Sequence, residues 1–365
     1  MEILEVLDKL FEKASEEKLP DIHLNTNHLP ILRWKNGKLF SVEVLEWLRE
    51  WEDIKLFPLS KFDLEEILEK IIWKAWVKKF EEEKELDSSY KSLTWDTYRV
   101  NCYYDINWAN IALRLIPKEI PSLETLWLWW KIKELCSKEK WIILVTWPTW
   151  SWKSTNLAAM IDFINNNFEK HIITIEDPVE FVFKSNKSLI NQRELWNSTF
   201  GFKQAMKSVL REDPDIIMVW EMRDPETIKT AITLAETGHL VLSTLHTNDS
   251  VQTIDRIIDV FPSNQQKQIR LQLAMSLVWV ISQRLLPKKD DSWRIPAREI
   301  LINNDAVRNL IITWKTHQLY SVLEVWQKEG MILMDRYLQA LYEKWLIEKK
   351  VMLNFARDRE SLEML

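Results

Sequence analysis

Residues 141–156 read WIILVTWPTWSWKSTN. The apolar run Trp141–Val145 suits a buried strand, and a helical pattern sets in at Asn156–Ile164. Between them stands Trp147-Pro148-Thr149-Trp150-Ser151-Trp152-Lys153-Ser154. Three indoles packed between a strand and a helix make poor physical sense, because such connections need small residues and free backbone. With glycine at 147, 150 and 152 the segment becomes GPTGSGKS, a phosphate-binding loop in its required strand–loop–helix setting.

Composition supports that substitution. Ordinary usage of about 7% glycine would give roughly 26 glycines in a chain this long. The 365 residues hold 4 glycines and 21 tryptophans. Several tryptophans fall where glycine supplies a left-handed turn or helix end rather than where a core needs bulk: Trp95 in SLTWDTY, Trp293 in KKDDSWRIP, Trp314 in ITWKTH and Trp345 in LYEKWLIEKK. The expectation is that UGA codons meaning glycine in the source organism have been written as tryptophan. The alternative is a chain truly rich in tryptophan. Trp47, Trp51, Trp73 and Trp76 lie in helical contexts and decide nothing.

The loop chemistry explains why glycine matters. Backbone N–H groups and the helix N-terminus must wrap the phosphates. Lys153 would reach the β- and γ-phosphates of ATP, Ser154 would ligate Mg²⁺, and Thr155 would help hold the α-phosphate. Written literally, Trp152 puts an indole where phosphate belongs, and the chain should bind ATP poorly or not at all.

Outward from the loop, short apolar runs alternate with helices. The runs are Ile142–Val145, His171–Ile175, Asp215–Val219 and His239–Leu245; the helices are Thr155–Asn165, Gly201–Leu210 and Pro225–Glu236. That alternation implies an α/β domain with a parallel sheet. It spans 127–365, with 263–365 expected to be mainly helical. Pro117 and Pro121 punctuate a linker at 117–126. Residues 1–116 make a smaller α+β domain: a helix over 1–20, strands within 21–45 and 93–116, and helix over 60–85 ending in the charged run Glu81–Glu85.

Charge and cysteine content narrow the function. The net charge is −6, which argues against a general nucleic-acid binder. Two cysteines, Cys102 and Cys136, suit neither a four-thiolate zinc site nor a secreted disulfide scaffold. No apolar run approaches the ~18 residues of a membrane span. The acidic, amphipathic N-terminus is not a signal peptide, so a cytoplasmic location is expected.

Acidic and histidine boxes follow the strands. Glu176 ends the second apolar run, Glu221 lies just past the third, and His246 just past the fourth. Side chains at the carboxyl ends of parallel strands face the ligand crevice. Glu221 stands where a carboxylate could orient water, and His246 where an imidazole could sense the γ-phosphate. Either histidine box read alone is compatible with a purely structural role.

At these residues the chain resembles the type IV pilus twitching-motility ATPases, retraction motors of the secretion-ATPase superfamily. The matching runs are ITIEDPVEF (173–181), INQREL (190–195), VLREDPDIIMVWEMRDPET (209–227), AETGHLVLSTLHTN (235–248), TIDRIIDVFP (253–262), ISQRLLP (281–287) and AVRNLI (306–311). Upstream, DIHLNTNHLPILRWKNGKL (21–39), YRVN (98–101) and IALRLIP (111–117) match as well. The resemblance implies a PAS-like N-terminal domain and a RecA-like ATPase domain, arranged as a homo-hexamer with ATP held between subunits. It implies nucleotide and Mg²⁺ roles for Lys153 and Ser154, the catalytic carboxylate at Glu221, an assisting carboxylate at Glu176 and the histidine box at His246. It also implies phosphate-stabilising roles for Arg99 and Arg114, across a subunit boundary. The implied partner is an inner-membrane pilus platform protein, with the motor peripheral at the cytoplasmic base of the pilus. AVRNLI resembles a motif of retraction motors, and the missing four-cysteine insertion speaks against the assembly and secretion relatives. Family glycine positions carry tryptophan at 147, 150, 152, 220 and 279. Genuine tryptophans would instead imply a nucleotide-dead scaffold subunit of such a ring.

Overall fold

The computed structural model describes residues 3–17, 19–34, 38–42, 57–72, 74–116, 119–124, 141–146, 153–195, 198–199, 201–290 and 294–364. They fall into two compact units: Met1–Glu119 with Asp177–Val182, and Ile120–Glu176 with Phe183–Leu365.

In the first unit, helix α1 (Ile3–Glu16) buries Leu7, Leu10, Phe11 and Ala14, which helical spacing sets on one face. Helix α2 (Lys61–Ile71) starts at a capping box, in which Ser60 and Asp63 satisfy each other's backbone N–H. Helix α3 covers Lys74–Glu83. The strands are β1 (Asp21–Asn25), β2 (Ile31–Arg33), β3 (Leu39–Ser41), β4 (Glu85–Lys91), β5 (Thr97–Tyr104) and β6 (Ala109–Leu115), in sheet order β3-β2-β1-β6-β5-β4. Every pairing is antiparallel. The sheet is built round a hydroxyl as well as apolar chains: Tyr98 is fully buried and donates to the carbonyl of Phe11 at 3.0 Å. The charged run 81–85 does not stay helical to its end. The helix stops at Glu83, Lys84 takes a left-handed φ of 66°, and Glu85 opens the edge strand β4. An edge strand with one solvated face tolerates such charge.

In the second unit seven strands form one sheet: β7 (Trp141–Thr146), β8 (His171–Glu176), β9 (Leu189–Glu194), β10 (Ile216–Val219), β11 (Leu240–Leu245), β12 (Leu277–Pro287) and β13 (Arg294–Ile302). Their order is β13-β12-β7-β11-β10-β8-β9, parallel except for the pair β12–β13. Helix α4 (Lys153–Asn167) follows β7, α5 (Phe202–Val209) follows β9, and α6 (Pro225–Glu236) follows β10. The central strands read as continuous apolar runs because both faces are covered, one by each of two buried clusters. Asp224 caps α6 by accepting from Glu226 N and Thr227 N, and Pro225 fills the first turn, where no N–H is needed.

Residues 263–365 carry helices α7's successor α8 (Ser263–Ser276), α9 (Asp305–Ile312), α10 (Leu319–Val325), α11 (Met334–Glu343), α12 (Lys349–Phe355) and α13 (Arg359–Glu363), with α7 (Ser250–Asp259) just before them. The long pair β12–β13 interrupts this helical stretch. The run SLVWVISQRLLP has no helical period and extends the sheet beside β7. Among the described residues no helix is long and apolar enough to cross a membrane.

Candidate functional site

The site forms where four parallel strands end. Thr146 closes β7 and pairs in register with Leu245 of β11. Residues 147–152 lie outside the described residues; they include Trp147, Pro148, Thr149, Trp150, Ser151 and Trp152 of the expected loop. Helix α4 begins at Lys153 and takes in Ser154 and Thr155, so a strand precedes and a helix follows this segment, as a phosphate loop requires.

Glu176 is the last residue of β8 and only 2% exposed. Its Oε1 accepts from Thr174 Oγ1 at 2.6 Å and from Gln192 Nε2 at 3.0 Å. Past β10 the chain stays pinned to its neighbours: Trp220 N donates to Ile175 O at 2.9 Å and Met222 N to Thr244 O at 3.1 Å. Glu221 is thereby held between the ends of β8 and β11. Its Oε1 lies 3.3 Å from His246 Nε2, and its Oε2 accepts from Arg223 Nε at 2.8 Å. A nearly buried carboxylate with an imidazole on one oxygen and a guanidinium on the other is held in one orientation, from which it could align water. The structure thus gathers Glu176, Glu221 and His246 at one edge of the sheet, level with the end of β7 at Thr146.

Arg223 and Gln192 are additions. Both stand in runs quoted above, INQREL and MRDPET, but their roles emerge only from the fold. The one local signal was the spacing of Arg223 two residues after Glu221, which puts both on one side of an extended segment.

Arg99 and Arg114 belong to the first unit and lie directly opposite one another on β5 and β6. Asp21 faces Arg114 on one side and Arg33 on the other. It is 7% exposed and accepts from Arg114 Nε at 2.7 Å and Arg33 Nε at 2.9 Å. Arg99 Nη1 stands 3.8 Å from Glu180 Oε1. Asp21, His23, Asp87, Arg99, Asn101 and Arg114 line a cavity of about 340 Å³. Burial lowers the pKa of His23 beneath its ordinary value, with Asp21 pulling the other way.

The carboxylates of Glu176 and Glu221 are hard oxygen donors of the kind Mg²⁺ accepts. Magnesium in phosphoryl-transfer sites takes one or two carboxylates, with phosphate and water completing its shell.

Four described tryptophans take a positive φ, among them Trp141 at 130° at the start of β7. Trp95, Trp314 and Trp345 adopt left-handed φ of 63°, 59° and 60° and are well exposed. A bulky residue is a genuine outlier there. Trp220 and Trp279 are buried core side chains outside the left-handed region, so the backbone at those positions does not demand glycine. Trp293 lies outside the described residues.

The family described as Type II/IV secretion system protein matches residues 110–329. A twitching motility protein of Neisseria gonorrhoeae is 46% identical over 78% of this chain and 76% of its own length. The type IV pilus retraction ATPase PilT of Pseudomonas aeruginosa is 40% identical over 94% of this chain and 96% of its own. A crystal structure of the pilus retraction motor PilT with bound ADP superposes with a TM-score of 0.87 at 40% identity, covering 98% of this chain and 99% of that one.

Proposed function

The chain belongs to the type II/IV secretion system protein family, and we propose that it is an ATPase whose hydrolysis of ATP powers retraction of a type IV pilus. The observation that supports this is the placement of Glu176, Glu221 and His246 at the strand ends beside Thr146, the last residue before the segment that leads to Lys153. Phosphoryl-transfer catalysis is mostly positioning and charge stabilisation, and this arrangement supplies both. Near-full-length similarity to a retraction ATPase supports the direction of the motor.

In this reading residues 147, 150 and 152 are glycine in the natural protein, and their N–H groups cradle the phosphates. Lys153 neutralises the β- and γ-phosphates. Ser154, with Glu176 nearby, holds Mg²⁺, which supplies charge neutralisation at the phosphates when bound. Glu221, oriented by His246 and Arg223, aligns the water whose oxygen attacks the γ-phosphorus as ADP departs. Arg99 and Arg114 act on a neighbouring subunit's nucleotide, and six copies close a ring. Asp21 holds Arg114 side-on for that task. The ring works at the cytoplasmic base of the pilus against an inner-membrane platform protein. ATP drives such a motor only through its different affinities for two arrangements of the ring.

The test is phosphate release by the full chain with glycine at 147, 150, 152 and 220. It should show Mg²⁺-dependent hydrolysis that Lys153→Ala abolishes, whereas the chain with tryptophan at those positions should be silent. A folded, hexameric glycine form that releases no phosphate contradicts the motor. Loss of twitching in cells lacking the gene, with pili still assembled, separates retraction from assembly.

A further inference from the structure

A buried polar cluster joins β12 and β13 to the first turn of α4. The register pairs Ser282 of β12 with Thr146, and their hydroxyls are 2.8 Å apart. Gln283 is the next residue along β12. Across the pair β12–β13 it faces Arg298. Both are 1% exposed. Gln283 Oε1 accepts from Arg298 Nε at 2.7 Å and from Asn156 Nδ2 at 3.4 Å. Asn156 is itself buried, in the first turn of α4, three residues beyond Lys153.

The cluster is costly. Among the described residues Arg298 Nη1 and Nη2, like Gln283 Nε2, are buried without a close hydrogen-bond partner. Burial pushes the Arg298 guanidinium down to about 10, and Tyr337 beside it pulls weakly the other way. Holding a cation in the interior is costly even with a tyrosine facing it. Apolar side chains would fill the same space at less cost, so stability alone does not account for it. A buried polar network does fix geometry, because its members have few alternative partners.

We propose that Gln283, locked by Arg298, is a positioning residue for nucleotide binding: its Oε1 holds Asn156 and so sets the first turn of the helix that carries Lys153 and Ser154. The inference rests on the ATPase reading above. Phosphate binding at a helix N-terminus depends on where that turn points its N–H groups. Ground state and transition state share that cradle, so the effect should fall on affinity more than on turnover.

The probe is ADP, bound to the full chain with glycine at 147, 150, 152 and 220. Gln283→Leu keeps the volume but removes the acceptor; ADP affinity should fall about tenfold or more, as loss of a charge-assisted bond predicts, with saturated turnover within about twofold. Gln283→Glu keeps an acceptor for both partners and should bind ADP within about threefold of the parent. Asn156→Ala is the second route to the same loss, should the leucine form fail to fold. Unchanged ADP affinity in a folded Gln283→Leu or Asn156→Ala chain overturns the proposal. So does a Gln283→Glu chain as weak as Gln283→Leu, because that would make shape rather than the acceptor the cause. If the unsubstituted glycine chain itself fails to bind ADP, the ATPase reading falls, and the failure is recognisable because no cluster residue was touched.

Discussion

Three helices end with the same hydrogen-bond pattern but not the same residue. After α6, His239 N donates to Leu234 O at 3.2 Å, and the left-handed position is Gly238, at φ 103°. After α9, Lys315 N donates to Leu310 O at 2.9 Å, and that position is Trp314, at φ 59°. After α11, Leu346 N donates to Leu341 O at 3.0 Å, and it is Trp345, at φ 60°. This is the Schellman end, which favours glycine because it has no Cβ to clash. A side chain there costs about 1–2 kcal/mol. Arg270 sits 3.8 Å from the Trp314 ring centre and Lys289 4.1 Å from that of Trp345. Such contacts return about 0.5–1 kcal/mol at exposed sites, too little to reverse the sign. The backbone asks for glycine at all three ends, and only one of them is written with it. The phosphate loop makes the same demand for a different reason, close approach of backbone to ligand.

The comparison can be broken in several places. The largest expected effect is on chemistry. In the glycine-bearing chain, Glu221→Gln should lower phosphate release on the order of 10²–10³-fold while ADP binding persists, as loss of a water-orienting carboxylate predicts. An equal loss of ADP affinity would move Glu221 from catalysis to binding. Next comes Trp279, whose indole is 4% exposed beside the register shift between Leu277 and Trp279. In the chain as written, Trp279→Gly should destabilise by about 3 kcal/mol in denaturant unfolding, since it leaves a core cavity. A neutral result would put position 279 with the helix ends. Trp314→Gly and Trp345→Gly should do the opposite and stabilise by about 1 kcal/mol each. Destabilisation at either would show that the indole packing outweighs the backbone penalty.

The smallest effect is a control in the first unit. Burial pushes the Cys102 thiol up to about 12 from an ordinary 9.0. The folded chain then keeps a proton that the unfolded chain releases. Stability from this group is therefore complete below the ordinary value and is lost as pH rises from there towards 12. Alkylation of the native protein at mildly alkaline pH should leave Cys102 unlabelled, and unfolding should expose it, as peptide masses would report.

Much of this architecture is legible locally. Pro225–Glu236, read from the alternation of apolar runs and helical segments, is the helix observed, and Asp224-Pro225 and Gly238 bracket it. The parallel strands announce themselves as short apolar runs, and their ends locate Glu176, Glu221 and His246. Edge strand β4 is hidden because its charges continue the helical run before it, and only Leu86 and its alternate neighbours mark the new period. The pair β12–β13 is hidden because a continuous apolar stretch carries no periodicity. Partnerships across strands are the least visible. Arg298 meets Gln283 fifteen positions away through sheet register, and Gln283 meets Asn156 of α4 at a separation of 127 where that helix packs on the sheet. The same holds for Asp21 with Arg114, which β1 and β6 bring together across 93 positions.

The central claim, that this is an ATP-driven motor whose phosphate loop is built from glycine, is tested most directly by weighing one peptide from the native organism. Cleavage after Lys140 and Lys153 releases residues 141–153, which hold the whole loop. The account predicts glycine masses at 147, 150 and 152. Tryptophan masses there would contradict it, because a loop carrying three indoles cannot wrap phosphate.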